Sequence, residues 1–297
     1  MSAIRTVAIA GLGLIGGSLA RDLAARGVRV LGWDSDGGAV DAALGEGVLA
    51  AALGEDWEGL EDANALVLAV PVGAAAHVLA AALPRLGRVP LVTDAGSTKA
   101  SIVAAARRLA LAAKFVGAHP LAGDHRSGWA ASRTGLFDGA TVYLTPSPDS
   151  TADAVSIARE LWTAVGGVVT EIGPGEHDRR LAWTSHLPQV VSSALAAALA
   201  GRGIARGDLG PGGLEVIRLA ASSPDLWRDV LADNAAEVAD AIRAVECRLA
   251  AIRAAVESGD AEGIHAWLAD ANAWAAREDG RAAAVLAIDP LAGVSST

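Results

Sequence analysis

The chain contains little sulfur and few aromatic residues. Among its 297 residues there is one cysteine, Cys247, and phenylalanine, tryptophan and tyrosine together make up 4%. A single thiol cannot close an internal disulfide bond. Cys247 lies in a helical pattern, and we interpret it as a small buried apolar side chain rather than a nucleophile. The cysteine and histidine residues do not have the spacing of a zinc site, so no bound metal is predicted.

The sequence also lacks basic clusters and long apolar runs. Its net charge is −10, and its lysines and arginines form no cluster of the kind that binds nucleic acid. Apolar runs end well before the ~18 residues that a membrane helix needs. The run Ile4–Ala10 leads directly into a glycine turn, which does not fit a secretory signal. We therefore expect a cytoplasmic protein that binds neither nucleic acid nor membranes and that needs local arginines to bind an anion.

Strands and helices alternate in the first half of the chain. Short apolar runs predict strands at Thr6–Ala10, Val28–Trp33, Ala65–Val70, Leu91–Thr93, Phe115–Ala118, Thr141–Leu144 and Val168–Ile172. Helical patterns lie between them, and this alternation is typical of βαβ units in a doubly wound parallel sheet. After Gly173–Gly175 the pattern becomes helical and rich in alanine. We predict an N-terminal Rossmann domain at residues 1–173 and a C-terminal all-helical domain at residues 174–297.

A glycine-rich segment follows the first predicted strand. Residues Gly11–Gly16, with the sequence GLGLIG, have GxGxxG spacing and open a predicted helix, which is the context of a dinucleotide-binding site. Gly11 allows the tight turn, Gly13 lets the backbone approach the pyrophosphate, and Gly16 lets the helix pack closely on the strand. The helix N-terminus also attracts phosphate. An ordinary glycine-rich turn is the alternative.

Asp34 ends the second predicted strand. A carboxylate at this position accepts hydrogen bonds from the ribose hydroxyls of the adenosine and repels the additional phosphate of NADP. We therefore predict NAD as the cofactor, with Leu14, Ile15, Val70 and Pro71 completing its site. Alternatively, Asp34 is only an ordinary turn residue.

Three further segments bring polar side chains to a strand end or a helix break. Ser97 follows a predicted strand and is either a helix N-cap or a hydrogen-bond partner of a catalytic group. Pro120 keeps His119 extended at the end of a strand, where an imidazole can transfer a proton beside a nicotinamide ring. His186 lies just before Pro188, which should kink the helix. A structural role is the alternative for both histidines.

Four segments together resemble one known family, the prephenate/arogenate dehydrogenases of tyrosine biosynthesis. They are GLGLIGGS at residues 11–18, DAGSTK at 94–99, GAHPLAG at 117–123 with LFDG at 136–139, and HDRRLAWTSHLP at 177–188. Their order and spacing fit the family from Val7 to about Asp229. The resemblance implies an oxidative decarboxylation in which hydride passes from prephenate to NAD+, CO2 leaves the ring and 4-hydroxyphenylpyruvate forms. It also implies a homodimer through the helical domain.

The resemblance assigns roles to individual residues: His119 is the base, Ser97 is hydrogen-bonded to it, His186 binds substrate, Arg218 grips a substrate carboxylate, and Trp227 lines the pocket. A guanidinium can bind a carboxylate through two parallel hydrogen bonds. Arg218 could instead pair with Glu215 on an exposed helix, and Trp227 could simply pack in the core.

One segment departs from the family pattern. After Gly123 the sequence continues with Asp124, His125 and Arg126, where the family commonly has a small polar residue, a glutamate and a basic residue. Arg126 keeps the positive charge and is predicted to contact the substrate. The Asp124 carboxylate would repel a substrate carboxylate unless it is turned away or paired, and it could instead bind the ammonium group of arogenate. A metal site at His119, Asp124 and His125 is a further alternative.

Two other functions stay open at this point. Hydroxy-acid and imine reductases also join a Rossmann domain to a helical domain, but many of them use a helical lysine as the acid. In this chain no lysine follows Lys114. The protein could also be an NAD-binding sensor whose helical domain mainly dimerises, although the polar groups at its strand ends favour an enzyme.

Overall fold

Parallel strands form the centre of the N-terminal half. The computed structural model describes residues 4–123 and 126–277. Its strands are β1 (Thr6–Ala10), β2 (Arg29–Trp33), β3 (Ala51–Ala52), β4 (Ala65–Leu68), β5 (Leu91–Asp94), β6 (Val116–Pro120), β7 (Thr141–Pro146) and β8 (Val168–Glu171). The first five form a parallel sheet in the order β3-β2-β1-β4-β5. This is the predicted Rossmann arrangement, and the prediction is confirmed.

Helices alternate with these strands and continue to the end of the described residues. They are α1 (Leu14–Ala25), α2 (Gly37–Gly45), α3 (Val72–Ala82), α4 (Ala100–Arg108), α5 (Ala152–Ala164), α6 (Pro174–Leu181), α7 (Leu187–Gly201), α8 (Pro211–Val216), α9 (Pro224–Asp233), α10 (Ala235–Ser258) and α11 (Ala261–Ala275). Alternate residues of β1 belong to two different apolar clusters, Val7 and Ile9 to one and Ala8 and Ala10 to the other. Because successive strand residues point to opposite faces, the strand is buried on both sides, as a parallel sheet requires.

The last three strands form a second sheet in the order β6-β7-β8. β7 and β8 are parallel, but β6 and β7 are antiparallel, which differs from the all-parallel sheet that the alternating pattern predicts. The reason lies in the connection, since a parallel neighbour needs a crossover helix. Between β6 and β7 the described residues contain only a short 3-10 turn, Trp129–Ala131. In the resulting register His119 lies opposite Tyr143.

The chain divides into two units, residues 1–242 and residues 243–297. From β8 onward the described residues contain helices and turns but no strand, so the predicted all-helical C-terminal region is confirmed. The second unit is described as far as residue 277 and consists there of the end of α10 together with α11. Cys247 of α10 is exposed, so the prediction that it is buried is wrong. The domain boundary predicted near Gly173 stays a prediction. Within the described ranges, every helix is too short or too polar to cross a membrane.

Candidate active site

The glycine loop joins β1 to α1 and leaves space beside its backbone. Gly11 has a φ of +94°, and a Cβ atom there would lie 2.4 Å from the carbonyl oxygen of Ala69. A Cβ atom at Gly16 would lie 1.9 Å from the carbonyl oxygen of Gly11, so α1 packs very closely on the loop. At Gly13 a Cβ atom would meet nothing within 4 Å. This open space lies at a helix N-terminus that no side chain caps, an arrangement that fits a pyrophosphate.

Asp34 lies in the turn after β2 and holds the glycine loop. Its Oδ2 accepts a hydrogen bond from the Leu12 N–H at 2.6 Å, and its Oδ1 accepts one from the Asp36 N–H at 2.8 Å. The side chain of Val70, after β4, borders the same loop, and Pro71 begins the connection to α3. The carboxylate at the end of β2 and the residues after β4 therefore surround the space beside the glycines.

A buried ion pair lies at the end of β5. Lys99 Nζ donates a hydrogen bond to Asp94 Oδ2, and both side chains are buried. Asp94 also accepts hydrogen bonds from the Gly96 N–H at 2.9 Å and from the Ala118 N–H at 3.1 Å. The Asp94 carboxylate thus ties the end of β5 to β6, next to the position of His119.

Two histidines and an aspartate form a hydrogen-bonded chain at the end of β6. His119 Nδ1 lies 2.9 Å from His177 Nε2, and His177 Nδ1 lies 2.8 Å from Asp178 Oδ1. Asp178 also accepts the backbone N–H groups of Lys99 and Ala100, at 2.9 and 2.8 Å. His177 and Asp178 are buried residues of α6, whereas His119 is half-buried. The start of α6 therefore supports both β6 and the start of α4.

Burial and neighbouring charges give these groups defined protonation states. Burial, with the positive charge of Lys99 nearby, lowers the pKa of His119 well below its usual value. Burial also lowers the pKa of His177, although its hydrogen bond to Asp178 opposes this shift. Burial works against ionisation of Asp178, but hydrogen bonds from His177 and the Ala100 N–H outweigh it and lower the pKa of this carboxyl. At neutral pH this hydrogen-bonded series of side chains therefore contains two uncharged imidazoles, His119 and His177, and one carboxylate, Asp178.

His186 lies in an irregular stretch between α6 and α7. A single π-helix turn, Ala182–His186, replaces the regular helix just before Pro188, which has no N–H to donate. The His186 side chain is buried, and its Nε2 has no hydrogen-bond partner within the described part of the chain. Burial lowers the pKa of His186 to about 4, so the ring is neutral.

Asn234, between α9 and α10, determines which nitrogen of His186 carries the proton. Asn234 Nδ2 donates a hydrogen bond to the carbonyl oxygen of Asp178 at 2.9 Å, which fixes the orientation of the amide. The same Nδ2 lies 3.2 Å from His186 Nδ1, so that ring nitrogen accepts. The neutral imidazole therefore carries its proton on Nε2, the buried nitrogen without a partner. A buried donor of this kind calls for a hydrogen-bond acceptor, such as a ligand oxygen.

A cavity of about 480 Å³ opens beside His119. Three of the other residues that line it are Ser97, Arg180 and Trp227. The Trp227 ring also packs edge-to-face on His186, with 5.9 Å between the ring centroids. The structure therefore brings three of the predicted site residues, His119, Ser97 and Trp227, to one cavity, and a fourth, His186, packs against Trp227.

Ser97 lies in the turn between β5 and α4, but it does not cap the helix. The N-cap position of α4 is Lys99, and the carboxylate that accepts the first N–H groups of α4 belongs to Asp178. Among the described residues, Ser97 makes no hydrogen bond with His119, whose Nδ1 is paired with His177. Its predicted role in orienting His119 stays a prediction.

The predicted arginines lie outside the cavity. Arg218 has a side chain that is 64% exposed, and its Nε lies 3.3 Å from Glu215 Oε1, the pairing that the sequence left open as an alternative. Arg126 is exposed and is not among the residues that line the cavity. Asp124, together with His125, lies outside the described residues. The arginine that does line the cavity is Arg180 of α6.

Sequence reasoning gave no role to four residues of this site: His177, Asp178, Arg180 and Asn234. The first three belong to the segment HDRRLAWTSHLP, so the motif did point to this stretch. Their contacts depend on the packing of α6 against β6 and α4, which a sequence pattern does not reveal. Asn234 is a single polar residue between two helices, and it carries no signal of its own.

Comparisons with known proteins agree with this geometry. The family model described as "Prephenate dehydrogenase, nucleotide-binding domain" matches residues 19–171, and the one described as "Prephenate dehydrogenase, dimerization domain" matches residues 173–270. The chain is 34% identical to the prephenate dehydrogenase of Bacillus subtilis over 271 residues, covering 87% of the chain and 72% of that protein. It is 31% identical to the cyclohexadienyl dehydrogenase of Zymomonas mobilis over 274 residues, covering 88% and 92%.

Solved structures are similar over nearly the whole chain. Prephenate dehydrogenase from A. aeolicus, in complex with hydroxyphenyl propionate and NAD+, has a TM-score of 0.84 at 28% identity, with coverage of 92% of this chain and 98% of that one. Synechocystis arogenate dehydrogenase has a TM-score of 0.78 at 27% identity, with coverage of 91% and 98%. A Streptomyces aurantiacus imine reductase, at 20% identity and a TM-score of 0.53, covers 90% and 95% and shares the fold alone.

Proposed function

The chain belongs to the prephenate dehydrogenase family, and we propose that it oxidatively decarboxylates prephenate with NAD+ to 4-hydroxyphenylpyruvate, CO2 and NADH in tyrosine biosynthesis. The observation that carries the proposal is the pairing of an uncharged imidazole, His119, with a guanidinium, Arg180, in one cavity. Prephenate has a ring hydroxyl that must lose its proton and two carboxylates that need positive charge.

His119 is the proposed base. The lowered pKa of His119 keeps its imidazole neutral at physiological pH, so the ring can accept the proton of the substrate hydroxyl. Its Nδ1 is already engaged by His177, which leaves Nε2 for the substrate. Ser97 lines the same cavity and is proposed to contact the reacting groups there.

The remaining polar groups are proposed to hold the substrate carboxylates. The buried Nε2–H of His186 and the guanidinium of Arg180 both suit an anionic oxygen. Trp227 offers an aromatic wall for the substrate ring. Arg218 and Arg126 are candidates from the family resemblance rather than from their positions, and the substitutions Arg180→Gln and Arg218→Gln distinguish the roles of these two arginines.

The glycine loop and Asp34 would hold NAD+. The open space at Gly13 would receive the pyrophosphate at the N-terminus of α1, and the Asp34 carboxylate would accept hydrogen bonds from the adenosine ribose. Its negative charge disfavours the additional phosphate of NADP. When bound, NAD+ supplies the hydride acceptor, and the residues of the chain supply binding, orientation and the base.

Arogenate is the second candidate substrate. It differs from prephenate in an ammonium group on the side chain, and the sequence has the carboxylate of Asp124 directly after the GAHPLAG segment. An ion pair between this carboxylate and that ammonium would favour arogenate. If Asp124→Asn leaves the ratio of kcat/KM for the two substrates unchanged, this candidate loses its support.

We further propose a cytoplasmic homodimer formed through the helical region. The match to a dimerization domain over residues 173–270 supports this assembly. In the second unit, large apolar side chains are exposed on α10 and α11: Leu249, Val256, Leu268 and Trp274. Exposed apolar groups of this size favour contact with another protein surface.

The direct test is an assay of NADH absorbance with purified protein, with prephenate and arogenate in parallel and each with NAD+ and NADP+. We expect turnover with NAD+ and little with NADP+. His119→Asn should abolish turnover while NAD+ affinity, measured separately by titration, stays close to that of the wild type. Absence of turnover with both substrates would reject the proposed function, and near-normal turnover of His119→Asn would reject the base.

A further inference from the structure

We propose that His177 and Asp178 are positioning residues that hold His119 in the tautomer with its proton on Nδ1, and so present a bare Nε2 to the substrate. The inference rests on the proposed role of His119 as the base. Neither His177 nor Asp178 lines the cavity, so both act through His119.

The order of donors and acceptors along the series His119–His177–Asp178 follows from the Asp178 carboxylate. Asp178 Oδ1 accepts the Lys99 N–H at 2.9 Å, and its Oδ2 accepts the Ala100 N–H at 2.8 Å. An ionised carboxylate has no proton to donate, so His177 Nδ1, at 2.8 Å, must be the donor. Neutral His177 then has a bare Nε2, which can only accept.

The same reasoning extends to the base. His119 Nδ1 lies 2.9 Å from the accepting Nε2 of His177, so His119 Nδ1 carries the proton and donates it. Neutral His119 has one proton on its ring, and its Nε2 is therefore unprotonated. When the substrate hydroxyl gives its proton to Nε2, the imidazolium that forms still donates from Nδ1 to His177, and its charge lies near the Asp178 carboxylate.

Burial protects the hydrogen bonds of His177 and Asp178 from exchange with water. His177 is fully buried and Asp178 is 5% exposed, so water does not compete for their hydrogen bonds. The lowered pKa of Asp178 agrees with a carboxylate that only accepts, and the lowered pKa of His177 agrees with a neutral ring. The Tyr143 ring packs edge-on against His177, with centroids 5.6 Å apart, and limits rotation of the imidazole.

Two amide substitutions at position 177 test the two hydrogen bonds of His177 separately, the one with His119 and the one with Asp178. In His177→Gln the amide oxygen reaches the position of Nε2, so it can still accept from His119 but no longer contacts Asp178 in the same way. In His177→Asn the amide nitrogen reaches the position of Nδ1, so the bond to Asp178 is kept and the acceptor for His119 is lost. The proposal predicts that kcat falls by about 100-fold or more in His177→Asn and by less than about tenfold in His177→Gln, since a correctly protonated base contributes 10²–10⁴-fold.

The decisive measurement does not depend on turnover. In the full-length protein labelled with ¹⁵N-histidine, two-bond ¹⁵N–¹H spectra distinguish protonated from bare ring nitrogens, and the signals missing in His119→Gln identify His119. We expect the Nδ1–H form in the wild type and in His177→Gln, and loss of that preference in His177→Asn. An Nε2–H form of His119 in the wild type would overturn the proposal, as would His177→Asn with unchanged kcat. Lack of turnover with a correct tautomer would instead reject only the proposed function.

Discussion

Among the described residues that line the cavity, Arg180 is the one lysine or arginine, and it is our candidate for binding a substrate carboxylate. It lies on α6 beside His119, and within the described residues its guanidinium makes no ion pair. Arg218 is mostly exposed and is already paired with Glu215. A hydrogen bond to a charged group contributes about 1.5–3 kcal/mol, which corresponds to roughly 10- to 100-fold in affinity.

The two arginines can be compared through the same substitution. Arg180→Gln should raise KM for the substrate by roughly 10- to 100-fold with a smaller effect on NAD+ affinity, because an interaction with a charged carboxylate is lost. Arg218→Gln is the matched control and should change KM by less than about twofold, as expected for an exposed pair. Steady-state kinetics, with whichever of prephenate and arogenate is turned over in the NADH assay, measure both. The reverse pattern would assign the carboxylate to Arg218, as the family resemblance implies.

At the scale of single residues, sequence reasoning found the groups whose local context is distinctive. His119 stands before a proline at a strand end, and His186 stands just before a proline in a helix, so both could be singled out. His177 has no such local mark, and its role depends on a contact with a residue 58 positions away. Such partners become visible only when α6 is packed on β6.

In the loop between β1 and α1, two glycines have different physical roles: one allows close packing and the other leaves space. At Gly16 a side chain would overlap the carbonyl of Gly11, whereas at Gly13 the space is open in the protein itself. Gly16 is therefore needed for the packing of α1 on the loop, and Gly13 is the glycine that we propose is needed for the ligand. The backbone of Gly13, with φ −71°, imposes no restriction of its own on an alanine.

Alanine substitutions should separate these two demands. Gly16→Ala should lower the free energy of unfolding by about 1–3 kcal/mol, because the added Cβ forces α1 away from the loop. Gly13→Ala should unfold like the wild type but raise the Kd for NAD+ by about tenfold or more, since its methyl group occupies the space for the pyrophosphate. Urea unfolding and NAD+ titration of both variants provide the test. Normal NAD+ binding by Gly13→Ala would contradict the assignment of this loop.

Element order could be predicted more securely than strand direction. The alternation of apolar runs with helical patterns placed β1, β2, β4 and β5 within a few residues. This alternation did not distinguish a parallel from an antiparallel β6–β7 pair, because the two arrangements differ only in the path of the segment that connects the strands. The short strand β3 has two residues and leaves no periodic pattern to detect.

For the whole molecule, the exposed apolar residues of the second unit predict self-association. Leu249 and Val256 are seven residues apart on α10 and share one helical face, and both are more than half exposed. Leu249→Glu should therefore shift the protein from dimer to monomer in sedimentation velocity experiments. Ala251→Glu, about 200° around the helix from Leu249, introduces the same charge on the other side and should leave the dimer intact. Equal behaviour of the two variants would exclude this face as the interface.

The buried histidines also link the stability of the whole fold to pH. His186 has a pKa of about 4 in the folded chain, where burial and the neighbouring His177 lower it and Asp178 partly opposes them, compared with 6.5 in the unfolded chain. As pH falls below 6.5, the unfolded chain takes up a proton at this position and the folded chain does not, so the unfolded state is favoured. The difference amounts to about 3 kcal/mol by pH 4. The Asp178 carboxyl, with its lowered pKa, contributes in the same direction only below its usual value of 3.8.

His186→Asn should remove this dependence while keeping the local hydrogen bond, because its Oδ1 can accept from Asn234 where Nδ1 does now. Between pH 7 and pH 4 the wild type should lose about 3 kcal/mol more of its free energy of unfolding than the variant. His119 and His177 are present in both proteins, so most of their effect cancels, apart from the small influence of His186 on the pKa of His119. Chemical denaturation at several pH values measures the two slopes. If the free energies of unfolding of the wild type and the variant depend on pH in the same way, His186 takes up a proton equally in the folded and unfolded states. Burial would then not hold its ring neutral.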